Sequence, residues 1–352
     1  MTKDTDSTRA PYPYTVAMRT RRRFPLSALA VAVASLLLLS LCGCRGDAGD
    51  RVQQGRVRLQ LNWTAEPEFG GFFAARERGL FAKEGLDVEL VQGGPGIPVA
   101  QLAASGNVEF AVVAANQLLE LRQQGGDLIA LFAVFQGNPM GIMVHESTPY
   151  RTLEELWLSD ATISLEEGLA DFAWLSTVYP GGKHRVVPYS ANLAQFAADT
   201  ALAQQCFFTS EPVSLELQGT KTRVFMIGES GFDPYNAIVV TTRSFYAANE
   251  TLCRSMVRAC AHGWRSYLDD MEAIQVAMTK ENPAMSRMAM DRSAERQRTL
   301  IETATTKRLG LGCMTQSHWR QTIEQLTSIG RLQQPIDAAS VFVWHEDAGT
   351  SR

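Results

Sequence analysis

The sequence predicts an α/β fold built on mainly parallel β-sheets, and one segment carries most of that prediction. In residues 57–61, apolar side chains alternate with polar ones, which is the period of a half-buried strand. Residues 69–79 then have apolar side chains at helical spacing and end in a glycine, and residues 87–91 have the pattern of a second strand. Strand, helix and strand in succession form a βαβ unit with parallel pairing, and ligands of such sheets bind at the carboxyl ends of the strands.

The loop after the first strand combines an aromatic side chain with polar ones. Asn62, Trp63 and Glu66 all lie in this loop, at the carboxyl end of the strand. An indole ring can stack on a flat ligand, and a neighbouring carboxylate can bond to the polar edge of that ligand. These three residues are therefore candidates for ligand binding.

Six segments of the chain, taken together, resemble the thiamine-pyrimidine/sulfonate branch of ABC-transporter substrate-binding proteins. They are L-N-W-T-A-E-P-E-F-G-G-F-F, G-L-F-A-K-E-G-L-D-V, G-N-V-E-F-A-V-V-A-A-N-Q, F-Q-G-N-P-M-G-I-M-V-H, F-T-S-E-P and P-Y-N-A-I-V-V-T-T. The resemblance extends from about Val57 to Phe342. It implies a type II periplasmic-binding-protein fold, in which two α/β lobes joined by a hinge close over one small ligand in the cleft between them.

The N-terminus has the pattern of an export signal. Arginines at positions 19 and 21–23 precede an apolar run over residues 24–41. Gly43 and Cys44 then fit a lipoprotein signal, in which Cys44 is acylated and becomes the new N-terminus. An uncleaved membrane anchor is the alternative, and both would place the globular part outside the cytoplasmic membrane. The arginines also resemble a twin-arginine signal, so both export routes and the identity of the membrane stay open.

The predicted domain organisation follows from the signal and the resemblance. Residues 1–44 form the signal peptide and lipidation site, and the small, polar residues 45–55 form a flexible tether. The first lobe comprises residues 56–143 and 237–345, the second lobe residues 144–236, and residues 346–352 form a disordered tail.

Composition and charge exclude several classes of protein. A net charge of −4 argues against nucleic acid as a partner, because a phosphate-binding surface needs a concentrated basic face. The five histidines lack the spacing of metal ligands, so we predict neither a metal site nor a cofactor. The implied partners are a small-molecule ligand, permease and ATPase subunits, and the membrane through the lipid anchor, and the protein is expected to be a monomer.

Besides the acylated Cys44, four cysteines remain after processing. Cys253 and Cys260 are seven residues apart on a predicted helix, hence about 10 Å apart along its axis and too far for a disulfide. A disulfide from either of them to Cys313 and buried free thiols, including Cys206, are both open.

Further candidate residues follow other predicted strands. Asn116 comes after the apolar run 108–113, and Gln136 comes after the run 128–135. Both therefore face the same crevice as Trp63. The glycine-rich loop 93–96 lacks the G-K-[ST] continuation of a phosphate-binding loop and is interpreted as a turn.

The second lobe contributes a carboxylate at a comparable position. Residues 205–209 are predicted to form a strand, and Glu211 follows it beside Pro212, which suits the first turn of a helix. Glu211 could be a helix-cap carboxylate only, but its place in the matched S-E-P motif favours a ligand carboxylate. The loop at 166–168 carries two glutamates where relatives usually have small residues, so no ligand contact is carried over to it.

Two chain crossings between the lobes predict the hinge, one near Val144 and one near Asn236. Tyr235, directly before the second crossing, is expected to face the cleft and stack on the ligand. Beyond residue 245 the chain is predicted to be helical, with one helix at 294–303.

These observations predict a solute-binding lipoprotein of an ABC importer, not an enzyme. We expect a small planar nitrogen heterocycle of the thiamine-pyrimidine type, stacked on Trp63 and Tyr235 and bonded at its edge by Glu66, Asn116 and Glu211. Asn62, Gln136 and Asn236 complete the predicted set of ligand-binding residues. Two glutamates would repel a sulfonate, although another ligand of the branch, such as a riboflavin-like vitamin, stays open.

The sequence also bears on two other classes of function, an enzyme and a protein-binding sensor. Fungal relatives that make the thiamine pyrimidine use a cysteine-rich iron motif and a histidine. Here the corresponding segment Q-C-F-F-T-S-E-P has Cys206 alone, and no histidine lies near Trp63 in the sequence, which argues against such an enzyme. A tethered sensor that binds a protein partner is not excluded by any sequence feature.

Overall fold

The structure, a computed structural model, describes residues 55–190 and 192–345. Within these residues the chain forms two five-stranded sheets. The strands are β1 (Val57–Gln60), β2 (Val88–Val91), β3 (Phe110–Val113), β4 (Leu128–Phe135), β5 (Met140–His145), β6 (Thr162–Leu165), β7 (Arg185–Pro188), β8 (Leu202–Phe207), β9 (Thr222–Met226) and β10 (Asn236–Thr242).

Helices connect the strands and form most of the C-terminal third of the described chain. The α-helices are α1 (Gly70–Glu77), α2 (Leu80–Lys83), α3 (Val99–Ala104), α4 (Ala115–Gln123), α5 (Leu153–Leu158), α6 (Ala170–Val178), α7 (Leu193–Ala198), α8 (Glu211–Leu217), α9 (Arg243–Ala248), α10 (Glu250–Asp269), α11 (Glu272–Glu281), α12 (Arg287–Arg296), α13 (Arg298–Ile301), α14 (Ala304–Leu309) and α15 (Gln316–Ser328). Single turns of 3₁₀-helix occur at Pro67–Phe69, Ile227–Ser230 and Ala338–Ser340.

The two sheets have the same arrangement of strands. The strand order is β2-β1-β3-β10-β4 in the first sheet and β7-β6-β8-β5-β9 in the second. Parallel pairs join β1 to β2 and β3, and β6 to β7 and β8. In each sheet one strand runs antiparallel to its neighbours, β10 in the first and β5 in the second. Both are the strands that the chain enters directly after crossing from the other sheet. The expected α/β fold with two lobes is confirmed, and we call the lobe of the first sheet lobe 1 and that of the second lobe 2.

Close packing of α1 on α10 requires a glycine on each of the two helices. A Cβ atom on Gly71 would lie 2.3 Å from the Trp264 ring, and one on Gly263 would lie 2.2 Å from the Gly71 carbonyl oxygen. Any larger residue at these positions would push the helices apart. The contact fixes α1, and with it the loop between β1 and α1, against the longest helix of lobe 1.

The chain crosses from the first sheet to the second in residues 136–139, ahead of the crossing predicted near Val144, because β5 already belongs to the second sheet. This segment is hydrogen-bonded to the segment before β10, in which the chain returns to the first sheet. The backbone N–H of Asn138, in the first crossing, donates to Asp233 Oδ1 in the second at 2.6 Å. The Asn138 side chain donates to the buried Asp171 Oδ1 at 2.6 Å. After the second crossing, Ala237 has a φ of 47°, which is unfavourable for a residue with a Cβ atom. The hinge is therefore a hydrogen-bonded pair of segments with one strained residue.

Two predicted elements are wrong in their boundaries. The strand predicted at 205–209 is β8 at Leu202–Phe207, because the backbone N–H of Ser210 donates to the Phe207 carbonyl and turns the chain. The helix predicted at 294–303 is replaced by α12 and α13. Helix α12 begins earlier than predicted because the Ser286 hydroxyl caps it by accepting from the Ala289 N–H.

All four cysteines of the described residues are buried free thiols, so the disulfide considered from the sequence is not formed. Among residues 55–190 and 192–345, no helix is long and apolar enough to cross a bilayer. The predicted signal peptide with Cys44, nearly all of the tether 45–55 and the tail 346–352 lie outside the described residues.

Candidate functional site

The loop between β1 and α1 holds Trp63 at the surface of lobe 1. The indole is 38% exposed, and its Nε1 donates to Glu66 Oε1 at 3.1 Å. The loop backbone is fixed from two sides: Gly93 N–H donates to the Trp63 carbonyl, and the Asn282 side chain donates to the Ala65 carbonyl at 3.1 Å. A large flat ring with one open face is thus presented on a rigid loop.

Glu66 bridges from lobe 1 toward lobe 2. Its Oε2 accepts a hydrogen bond from the Ser210 hydroxyl at 3.4 Å, and Ser210 lies between β8 and α8. Glu211, the next residue, begins α8. The structure therefore brings Trp63, Glu66 and Glu211 together across the two lobes, as the sequence predicts from strand ends.

Glu211 is held tightly by its own lobe. Its Oε1 accepts from the Tyr189 hydroxyl at 2.9 Å, and its Oε2 accepts from the Phe207 N–H at 2.8 Å. These bonds fix the carboxylate at the start of α8. Each oxygen still has capacity for a second donor, because a carboxylate oxygen carries two lone pairs.

A third carboxylate, that of Glu68, completes the group. Burial raises the pKa of Glu66 to about 7, with the negative charge of Glu211 as the next cause. The pKa of Glu68 lies well above its ordinary value because of burial first and the charges of Glu66 and Glu211 second. Burial also raises the pKa of Glu211. We call Glu66, Glu68 and Glu211 the carboxylate cluster.

The carboxylate cluster has no cationic partner among the described residues. Its three members repel one another, and their charges are poorly hydrated. Such an arrangement favours a ligand that brings hydrogen-bond donors or positive charge. In the same residues, no group of histidine, cysteine or acidic side chains has the geometry of a metal site.

Tyr235 is placed differently from the expectation. It is only 1% exposed, and its ring is covered by His318, with ring centroids 3.9 Å apart, and by Trp319 at 5.6 Å. Its hydroxyl accepts from the Thr315 N–H at 3.0 Å. Tyr235 therefore has no face free for stacking on a ligand, because the hinge packs it against α15.

Gln136 also has a structural role in this conformation. Its side chain is buried, and its Nε2 donates to the carbonyl oxygens of Ala133 at 3.1 Å and Cys313 at 3.0 Å. These bonds use both of its N–H donors. The Asn236 side chain accepts from the Ala237 N–H at 2.7 Å and supports the strained backbone there.

The two remaining candidates lie in lobe 1 beside the Trp63 loop. Asn116 is partly buried in the first turn of α4. Asn62 Oδ1 is shielded from solvent and accepts no hydrogen bond from the described residues. The Asn62 side chain lines a separate pocket next to α4.

Sequence reasoning missed Glu68, Tyr189 and Ser210. Tyr189 directly follows β7, so the rule that singled out Trp63, namely that ligand residues follow strand ends, applies to it as well. Ser210 and Glu68 both lie inside quoted motifs, beside residues that were chosen. Only the pairing of the two lobes shows that they meet.

Comparison with known proteins agrees with this architecture. The family model described as NMT1/THI5 like matches residues 66–274, which is more than half of the chain. The chain belongs to this family. The match contains the whole of lobe 2 and most of the first sheet, including the carboxylate cluster.

Two curated relatives of the chain are named as binding proteins. The riboflavin-binding protein RibY of Chloroflexus aurantiacus is 24% identical over 298 residues, covering 82% of this chain and 84% of that protein. The formylaminopyrimidine-binding protein of Halalkalibacterium halodurans is 23% identical over 324 residues, covering 87% of this chain and 96% of that protein.

A solved structure has the same fold. The periplasmic aliphatic sulphonate binding protein SsuA from Escherichia coli superposes with a TM-score of 0.62 at 12% identity, covering 83% of this chain and 92% of that one. At this identity the similarity establishes the periplasmic-binding-protein fold alone, and the expected fold type is thereby confirmed.

Proposed function

We propose that this protein is the solute-binding component of an ABC importer and captures a small planar nitrogen heterocycle between its lobes. The observation that carries the proposal is the position of Glu66, in lobe 1, which accepts hydrogen bonds from Trp63 of its own lobe and from Ser210 of lobe 2, next to Glu211. A ligand at this place touches both lobes, so its binding energy can stabilise the closed arrangement.

The carboxylate cluster supports a ligand with a donor-bearing edge. Amino groups on a heterocycle would donate to Glu66 and Glu211, and each charge-assisted bond is worth roughly 1.5–3 kcal/mol. An anion such as a sulfonate would add a charge of the same sign to a cluster that has no cation. The cluster thus favours an aminopyrimidine-type ring over the anions bound by structural neighbours.

Trp63 supports the flat shape of the ligand. Stacking on its open face contributes about 1 kcal/mol beyond the burial of apolar area. The names of the two curated relatives, one a formylaminopyrimidine-binding and one a riboflavin-binding protein, favour flat nitrogen heterocycles as a class.

Mass spectrometry of small molecules that co-purify with the native protein tests the ligand class. Calorimetry then follows with the co-purified molecule. We expect Trp63→Ala and Glu66→Gln each to weaken binding at least fivefold. The matched control is Glu154→Gln, which changes the same charge on an exposed position of α5 and should leave affinity unchanged. Full affinity in both site variants would overturn the site assignment.

The alternative role of Glu211 is to cap α8 only. The same calorimetric titration distinguishes this structural role from ligand binding. As a ligand carboxylate, Glu211→Gln should weaken a ring with amino donors by about 1–3 kcal/mol and leave a ring without donors almost unaffected. As a cap of α8 only, the same substitution should lower the unfolding temperature and leave affinity unchanged.

A riboflavin-like ligand is the second candidate, favoured by the relative named RibY, which is similar over 82% of this chain. Stacking of an isoalloxazine ring on Trp63 should quench flavin fluorescence. Titration of the protein into riboflavin therefore distinguishes the two candidates. Saturable quenching with one site per chain, lost in Trp63→Ala, would select riboflavin over the pyrimidine.

We also propose that the protein is exported and anchored by acylation of Cys44, with the tether 45–55 between the lipid and lobe 1. The residue boundaries of the two lobes belong to the same proposal, with the first boundary moved from residue 143 to the segment before Met140, because β5 pairs with β8 and β9. Mass spectrometry of membrane-extracted protein should find an acylated N-terminus at Cys44, and Cys44→Ala should release or misprocess the chain. An intact Met1 in the mature protein would overturn this.

Neighbouring genes for a permease and an ATPase would support importer function. A protein-partner sensor would lack them and would bind no small molecule with the affinity pattern described above.

A further inference from the structure

A second pocket lies in lobe 1, outside the carboxylate cluster. It has a volume of about 320 Å³ and lies between the segment after β2 and helix α4. Its lining includes Asn62, Ile97, Gln117, Glu120 and Leu121. This volume is at the lower end of the range for small-molecule sites.

The pocket is built by a loop that is fixed against the end of β1. A Cβ atom on Gly93 would lie 2.3 Å from the Leu61 carbonyl oxygen, so only glycine permits the observed approach. The Gly93 N–H donates to the Trp63 carbonyl at 2.9 Å. The wall that carries Ile97 is thus held in place by backbone contacts rather than by a ligand.

Two oxygen atoms of the pocket's side chains lack donors. Asn62 Oδ1 and Glu120 Oε1 are shielded from solvent, and neither accepts a hydrogen bond from any described residue. A buried acceptor without a donor destabilises the folded protein. A ligand that brings several N–H donors would remove this destabilisation.

The remaining lining determines the charge and shape of such a ligand. Glu120 is the only ionisable residue among those that line the pocket, so the pocket attracts a cation. Burial raises the pKa of Glu120, the positive charge of Arg331 lowers it, and the negative charge of Asp171 raises it, with no ion pair between Glu120 and Arg331 among the described residues. Ile97, 41% exposed, and Leu121 supply apolar surface for a short hydrocarbon chain.

We propose that this pocket is a second binding site and takes a protonated primary amine on a short alkyl chain. The ammonium group has three donors and no acceptor, which matches the two oxygens without donors and the carboxylate charge. The alkyl chain lies along Ile97 and Leu121. The lining of this pocket includes neither Trp63 nor any member of the carboxylate cluster.

The test is a protein-detected NMR titration with n-butylammonium chloride, and with n-butanol and sodium chloride as matched probes. We expect saturable shifts at the amides of Ile97 and Leu121, with n-butanol binding at least tenfold more weakly. Glu120→Gln should weaken n-butylammonium at least tenfold and leave n-butanol unchanged, whereas Glu154→Gln in lobe 2 should change neither.

A second variant keeps the proposal testable if Glu120→Gln does not fold. Ile97→Ala removes an exposed side chain and should weaken both organic probes by a similar factor of about two to five. Equal affinity for n-butylammonium and n-butanol, the absence of saturable shifts, or an equal loss in Glu154→Gln would overturn the proposal. Water alone would then occupy the pocket. Failure of the heterocycle to bind at Trp63 would not alter these outcomes.

Discussion

The ionised carboxylates of the carboxylate cluster repel one another, which destabilises the folded protein. Glu66 is buried beside Glu211, and its pKa is raised to about 7 from the ordinary 4.5. A folded state with the higher pKa binds its proton more tightly than the unfolded state does. The stabilisation from protonated Glu66 is therefore complete below pH 4.5 and is lost as the pH rises from 4.5 to 7.

Glu66→Gln should stabilise the empty protein at high pH, because it removes a buried charge and keeps the shape. At pH 8 we expect its free energy of unfolding to exceed that of the wild type by on the order of 1–3 kcal/mol, and at pH 4.5 the difference should vanish. Urea unfolding at both pH values measures this.

The control for that measurement is Glu154→Gln, an exposed carboxylate of lobe 2. It should shift stability by less than about 0.5 kcal/mol at either pH. If Glu66→Gln has the same effect at pH 4.5 and pH 8, the raised pKa of Glu66 is refuted.

At the scale of elements, the helix pair α1 and α10 positions the loop that carries Trp63. The two helices touch through Gly71 and Gly263, and Phe72 packs edge-on against Trp264 at 5.9 Å between ring centroids. Helix α1 begins directly after the segment that carries Glu66 and Glu68. A change in the helix contact is therefore transmitted to the carboxylates.

Gly263→Ala should destabilise the protein by roughly 1–3 kcal/mol, because its Cβ atom would overlap the Gly71 carbonyl oxygen and force the helices apart. The matched control is Thr251→Ala, an exposed position of the same helix, which should be neutral or slightly stabilising. Thermal unfolding compares the two. A loss of stability in both variants alike would show that helix propensity, not packing, is responsible.

Contacts beyond the ligand site join the two lobes in this conformation. Arg296, in α12, forms two hydrogen bonds of 2.9 Å with the carboxylate of Glu216 in α8 and lies over the Phe208 ring at 5.0 Å. The Ser293 hydroxyl donates to the Thr209 carbonyl nearby. These bonds stabilise the arrangement of the lobes in this structure.

Glu216→Gln should shift the lobes toward an open state and so weaken ligand binding by roughly three- to tenfold, since part of the binding energy must then close the cleft. Calorimetry measures the affinity, and X-ray scattering should show a larger radius of gyration for the empty variant. Asp291→Asn is the control, because it removes an ion pair with Arg287 within α12 that does not join the lobes. Equal effects of both variants would contradict a role for the interlobe pair.

For the whole molecule, we predict that the two lobes close over the ligand. A hinge at the bonded crossing segments should let the empty protein sample open states that the ligand suppresses. Saturating ligand should bind at one site per chain in the cleft and reduce the radius of gyration, measured by X-ray scattering. An unchanged radius at saturation would remove the closure mechanism while leaving the fold unaffected.

The sequence by itself determined the parts of this protein that depend on local pattern. The period-2 alternation at 57–61 and the helical spacing after it predict β1 and α1, and the strand-end rule selects Trp63, Glu66 and Glu211. The two predicted elements are found because side-chain direction in a strand or helix follows from spacing alone. The matched motifs then gave the two-lobed fold.

The tertiary structure alone decided which residues meet. Tyr235 and Gln136 also follow strand or hinge signals, but long-range packing against α15 and the Cys313 carbonyl buries them. Glu68 comes from lobe 1, and Glu211 with its partner Tyr189 comes from lobe 2, so the carboxylate cluster forms only because the two lobes face each other. The pairing of lobes, and the antiparallel direction of β10, depend on contacts between residues more than a hundred positions apart, and no local spacing encodes such contacts.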